Sequence, residues 1–132
     1  MREGDQRVCV ATHERPTGLR DTVPLGAVLP LTKGSGGRVL LAWAGDRDRF
    51  DVETQVLDRV RDLGWAATVG EREAGVASVS APVRVGEHVV AAMGVSGPAE
   101  RLGPDPGARF AAPVLAAAAE LAQARGAPVT TP

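Results

Sequence analysis

The stretch "GVASVSAPVRVGEHVVAAMGVSGP", residues 75–98, decides how this chain is read. It holds two apolar-rich runs, and Gly86-Glu87 between them suits a two-residue turn with glycine first. The pattern predicts a β-hairpin. Side chains along a strand point alternately to opposite faces. Alternation therefore groups Ala77, Val79, Ala81 and Val83, and on the second run Val89, Ala91, Met93 and Val95. The other face carries Val76, Ser78 and Ser80, then Val90, Ala92, Gly94 and Ser96. One face is an ordinary core. The other is small and hydroxylic, with no charge between Gly75 and Val83. Such a face is either the low floor of a cavity, with hydroxyls to orient a small polar ligand, or a surface turned to water or closely covered by a helix. Alternation alone leaves both open.

Working outward, "WAATVG" (65–70) reads as a strand and "EREA" (71–74) as a solvated charged loop. "DVETQVLDRVRDLG" (51–64) gives the clearest helix, with Val52, Val56, Val60 and Leu63 at helical spacing and Leu57 widening the stripe. Asp51 is the expected N-cap and Gly64 the stop. A shorter helix is expected from Ser35 to Ala44, followed by a polar break over residues 45–49. "RVCVATHE" (7–14) alternates as a strand, "RPTG" turns, and the two prolines of "LRDTVPLGAVLPL" (19–31) keep that run extended. After the hairpin, "GPDPG" opens a last helix with the stripe Phe110, Val114, Ala118 and Leu121. Residues 127–132 read as a frayed tail. Singly placed strands, a hairpin and interleaved helices indicate an α/β (α+β) fold, a largely antiparallel sheet with helices on its faces.

With 132 residues the chain has the length of one domain, set here at 1–126. Aromatic content is 3% with no Tyr, so Val, Leu and Ala must build the core. A net charge of −1 argues against an electrostatic nucleic-acid surface. The single cysteine, Cys9, allows no internal disulfide and reads as a structural thiol in an apolar run. No run approaches the roughly 18 apolar residues of a membrane span, and the N-terminus lacks a signal-peptide pattern. A cytoplasmic location is expected.

"TKGSGGRVL" (32–40) is neither a Walker A loop nor GxGxxG. Gly and Ser directly before a helix do leave its first N–H groups approachable, and the helix dipole favours an anion there. A carboxylate could thus be held without any Arg or Lys, although a plain turn has the same composition. His13 and His88 have no partner at metal-ligand spacing, and no nucleophile elbow or triad order is present. No cofactor, metal or enzymatic activity is expected.

The blocks "LPLTKGSGGRVLLAW", "GWAATVGEREAGVASVSAPV" and "VVAAMGVSGPAERL" together resemble the effector-binding domain of IclR-type bacterial transcription regulators. The resemblance runs from "REGDQRVCVAT" to the Ala-rich last helix. It implies a GAF-like fold, a pocket on one side of the sheet for a small organic or aromatic acid, and a winged helix-turn-helix ahead of this module. Carried over position by position, the family's pocket falls on Ser35 and Gly36, Thr68, Val76 and Ser78, and Gly94 and Ser96. Arg38 stands where a lysine is common, Thr68 where some members carry a carboxylate, and Gly94 where some carry serine. The family's module opens with a helix and a strand before the point matching Met1, so the chain reads as an N-terminally incomplete member. It is expected to form homo-oligomers or to pair with full-length relatives, and not to bind DNA or a membrane by itself. The competing reading is a dimerisation module, or a relic, without ligand binding.

Overall fold

The computed structural model describes residues 1–13 and 23–126. The part of the extended run before residue 23 and the tail 127–132 lie outside the described residues. In chain order the elements are β1 (Arg2–Glu3), β2 (Gln6–Val8), β3 (Val28–Pro30), α1 (Ser35–Ala42), a 3₁₀ turn (Arg47–Arg49), α2 (Thr54–Leu63), β4 (Ala66–Val69), β5 (Val76–Val85), β6 (His88–Pro98), α3 (Ala99–Leu102) and α4 (Pro106–Gly126). Every strand pairing is antiparallel. The strands form two three-stranded sheets, β1-β2-β3 and β4-β5-β6.

The second sheet organises the molecule. Its central strand β5 meets α4 on the face bearing Val79, Ala81 and Val83, where Val114 and Ala118 complete a cluster with Ala91. On the opposite face α1 packs across β4, β5 and β6. Above it Val39, Leu40, Leu41 and Ala42 join Leu57 and Val60 of α2, with Leu31 and Ala66, in a second cluster. Helix α1 is thus enclosed between α2 and the sheet, which is why its sequence "RVLLA" is apolar nearly all round.

The hairpin forms where predicted, with the turn at Gly86 (φ 62°), a conformation that glycine adopts without a Cβ penalty. Its faces differ from strict alternation near that turn. Val83 pairs with Ala91 but Arg84 pairs with Val89, so Val90 is the extra residue of a β-bulge. One inserted residue exchanges faces. Val89 consequently packs under α1, whereas Val90 joins Ala91 on the α4 side. The expected grouping of Val89 with Ala91, and of Val90 with Ala92, is corrected accordingly. Pro82 is tolerated within β5 because β4 pairs only as far as Ser80, so at Pro82 the strand has a partner on one side only.

Other boundaries shift by a few residues. Strand β2 ends at Val8 rather than continuing towards Glu14, and α1 ends at Ala42 rather than Ala44. Helix α2 starts after Glu53, which is extended (φ −58°, ψ 133°) and makes no side-chain cap, so Asp51 is not the N-cap. Gly64 does close it in the left-handed region, its N–H donating to the Val60 carbonyl at 2.8 Å. Along α4, Leu121 is 41% exposed and Ala122 takes the core position one turn after Ala118. Helix α3, which follows the hairpin directly, had no counterpart in the sequence reading. Among the described residues no helix is long and apolar enough to cross a membrane.

Candidate functional site

The antiparallel register aligns the small residues in rows across the second sheet. Thr68, Ser78 and Ser96 form one row; Ala66, Ser80 and Gly94 form the next. Helix α1 begins directly over these rows. Its first residue, Ser35, is 1% exposed, and its Oγ lies 2.7 Å from both Ser78 Oγ and Ser80 Oγ. Thr68 Oγ1 is 3.1 Å from Ser78 Oγ. Four hydroxyls thus share protons in a chain in which each group can donate once and accept twice. At Ser78 and Ser80 the small face is covered by a helix. Only its β6 end, from Gly94 to Ser96, is exposed.

Of the seven positions the resemblance named, Ser35, Thr68 and Ser78 meet in this hydroxyl cluster. Gly36 follows Ser35 on α1, half-buried, and Ser96 stands opposite Ser78 on the exposed end of the row. Val76 shares the face but pairs with Pro98 at the far end of the hairpin. At Gly94 a Cβ would collide with Ser80 Oγ and approach the Val79 carbonyl to 2.7 Å. The missing side chain at 94 therefore makes room for the Ser80 hydroxyl. Ser80 itself was legible on the small face, but only the structure ties it to Ser35.

Two charged groups at this site were not anticipated. Glu71, read as part of a solvated loop, accepts from the Gly34 N–H at 3.1 Å and pairs with Arg38 of α1. A carboxylate at the start of α1 is placed favourably by the helix dipole. Arg7 arrives from β2 and lies across the same helix start. Its Nε and Nη2 donate to the carbonyls of Pro30 and Lys33, both at 3.0 Å. A Cβ at Gly36 would come 2.9 Å from Arg7 Nη1 and 3.9 Å from Ser80 Oγ, so the guanidinium closes over the glycines just outside the hydroxyl cluster. Burial first, and then the neighbouring charge of Arg72, pull the Arg7 guanidinium below its ordinary value. The start of α1, where backbone N–H groups alone were expected to be able to hold a carboxylate, thus also has a guanidinium beside it. No local sequence signal marks Arg7, because 27 positions separate it from Gly34 and only sheet pairing brings the two together.

An apolar cleft of about 100 Å³ opens on the other face of the sheet, between β6 and α4, lined by Met93, Val95, Phe110, Pro113, Val114 and Ala117, with Gly94 at its edge. It offers no polar side chain to orient a ligand. Cys9 is half-buried and His88 exposed, and among the described residues no three His, Cys, Asp or Glu side chains converge to hold a metal ion.

This arrangement, an antiparallel sheet with a buried helix over one face and a long helix on the other, defines an α+β domain of GAF-like fold. The chain belongs to the IclR family of bacterial transcriptional regulators: the family profile described as Bacterial transcriptional regulator IclR C-terminal matches residues 51–123. It is 36% identical to the glycerol operon regulatory protein of Streptomyces griseus, over 76% of this chain and 47% of that protein. It is 29% identical to the HTH-type transcriptional repressor AllR of Klebsiella pneumoniae, over 80% of this chain and 46% of that one. The chain therefore spans about half the length of the curated relatives it matches. Among solved structures, an IclR-family regulator from Rhodococcus sp. superimposes with a TM-score of 0.80 at 29% identity, covering 93% of this chain and 54% of that one. The C-terminal domain of a transcriptional regulator from Vibrio cholerae gives 0.79 at 28% identity, covering 89% and 79%.

Proposed function

We propose that this domain senses a small organic acid and passes its occupancy on to transcription. The observation that carries the reading is the convergence of Ser35, Thr68, Ser78 and Ser80 hydroxyls beneath the start of α1. A carboxylate entering from the exposed β6 end meets the first N–H groups of α1 near Ser35 and Gly36, with Ser78 and Ser96 placed to orient it. In the absence of ligand the hydroxyls satisfy one another, so binding exchanges internal hydrogen bonds for charge-assisted ones. Differential affinity for two arrangements of the regulator then shifts operator occupancy. DNA recognition is assigned to the part of such regulators that this chain does not span, and the setting is the cytoplasm, where the operator is.

Titration of a panel of small aliphatic and aromatic acids, followed by thermal shift, tests this. At least one acid is expected to raise the melting temperature saturably, and Ser96→Leu, which fills the exposed end of the row, is expected to abolish the rise. No saturable response across the panel would favour the second reading, a module for pairing with copies of itself or with longer relatives. That reading draws on β6 standing, among the described residues, as the outer strand of its sheet, with no charged residue from Val89 to Gly97.

A further inference from the structure

The start of α1 gathers three arginines, Arg7, Arg38 and Arg72. Arg38 pairs with Glu71, and Arg72 has Glu73 at 3.7 Å. Arg7 is different. Its described hydrogen bonds go only to backbone carbonyls, and among the described residues no carboxylate stands within ion-pair distance of it. Among the three, Arg7 is the one held by backbone carbonyls alone. The place is an adverse one for a cation. Arg7 is half-buried, it faces the positive end of a helix, and Arg72 Cβ lies 3.5 Å from the Cβ position of Gly34, which Arg7 also crowds. Nε and Nη2 hold the side chain down on the β3–α1 connection, while Nη1 is the arm beside Gly36, towards the Ser80 hydroxyl.

Resting on the effector reading above, we propose that Arg7 is the specificity-determining residue of that site. It selects ligands bearing one negatively charged oxyanion and discriminates against their neutral counterparts. The anion supplies a counter-charge to the Arg7 guanidinium, which contributes charge-assisted hydrogen bonds from Nη1. Backbone N–H groups and serine hydroxyls donate to a neutral amide oxygen as well as to a carboxylate, with a gain for the charged acceptor. The guanidinium adds a full charge to that gain, so the larger share of the discrimination falls to the cation.

The experiment uses two acid–amide pairs, pyruvate with pyruvamide and benzoate with benzamide, titrated calorimetrically into the wild-type chain, Arg7→Gln and Arg7→Lys. Wild type is expected to prefer at least one acid over its amide by about tenfold or more. Arg7→Gln should bring that preference below about threefold, and Arg7→Lys, which keeps the charge but not the planar fork, should fall between. The preference is a ratio taken on one variant, so any loss of folded protein cancels, and a role confined to tying β2 to the β3–α1 connection would not move it. An acid preference that survives Arg7→Gln unchanged overturns the inference alone. Failure of both acids to bind wild type overturns it together with the reading on which it rests.

Discussion

At the scale of single residues, Ser35 is the junction of the site. Its hydroxyl is the common partner of Ser78 and Ser80, and Ser80 is itself only 6% exposed. Removing one member of a buried pair leaves the other unsatisfied, at a cost of about 1–3 kcal/mol. Ser35→Ala should destabilise by that amount in urea unfolding. The double variant Ser35→Ala/Ser80→Ala should cost less than the sum of the two single changes, because the second alanine removes the group that the first stranded. Strict additivity would show that the pair is not coupled. Of the cluster's four hydroxyls, those on Ser35, Thr68 and Ser78 came with the family resemblance, while local pattern by itself placed Ser35 at a helix start and Ser78 and Ser80 on one strand face. Arg7 was placed by neither. Its neighbours are set by the pairing of Arg7 with Leu29, which carries the β3–α1 connection across its guanidinium.

At the scale of elements, the helices separate the buried from the amphipathic. Leu41 of α1 is fully buried between α2 and the sheet, while Leu121 of α4 is 41% exposed despite its place in the predicted stripe. Leu41→Ala should cost roughly 2–5 kcal/mol of unfolding free energy, the range for a buried leucine that leaves a cavity. Leu121→Ala should stay within about 0.5 kcal/mol. Equal losses at the two positions would mean that the last turns of α4 pack against something beyond this chain. The α4 stripe misled at its end because a four-residue step from Ala118 reaches Ala122, whereas the apolar pattern pointed to its larger neighbour. The hairpin misled only near its turn, where the bulge at Val90 exchanges faces. A bulge has no signature in apolar alternation when both candidate residues are valine.

At the scale of the whole molecule, the small first sheet is fastened to the helical layer by charge. Arg2 donates through both terminal nitrogens to Asp46, each at 2.7 Å, and Arg49 reaches Asp46 at 2.9 Å and Asp5 at 3.1 Å. Hydrogen bonds from Arg2, then its charge and a hydrogen bond from Arg49, hold the Asp46 carboxyl well below its ordinary value of 3.8. A carboxyl lowered in the folded state contributes its full stability above the unfolded pKa and loses it as pH falls from there through the folded one. Asp46→Asn should therefore be less stable than wild type at neutral pH, with a gap that stays constant down to about pH 5 and narrows progressively from about pH 4 downwards. A gap no narrower at about pH 2 than at about pH 5 would show that Asp46 acts by packing instead of charge. The sequence by itself determined the fold class, the hairpin with its turn at Gly86, the stop of α2 at Gly64 and the grouping of Ser78, Gly94 and Ser96 on one face. Each of these follows from interactions a few residues apart, or from the two-residue period of a strand. Only the tertiary structure decided that α1 covers the serines, that Glu71 leaves solvent for Gly34 and Arg38, and that Arg7 closes over the helix start. Those contacts join segments tens of residues apart, and their energies exist only once the sheet has set the distances.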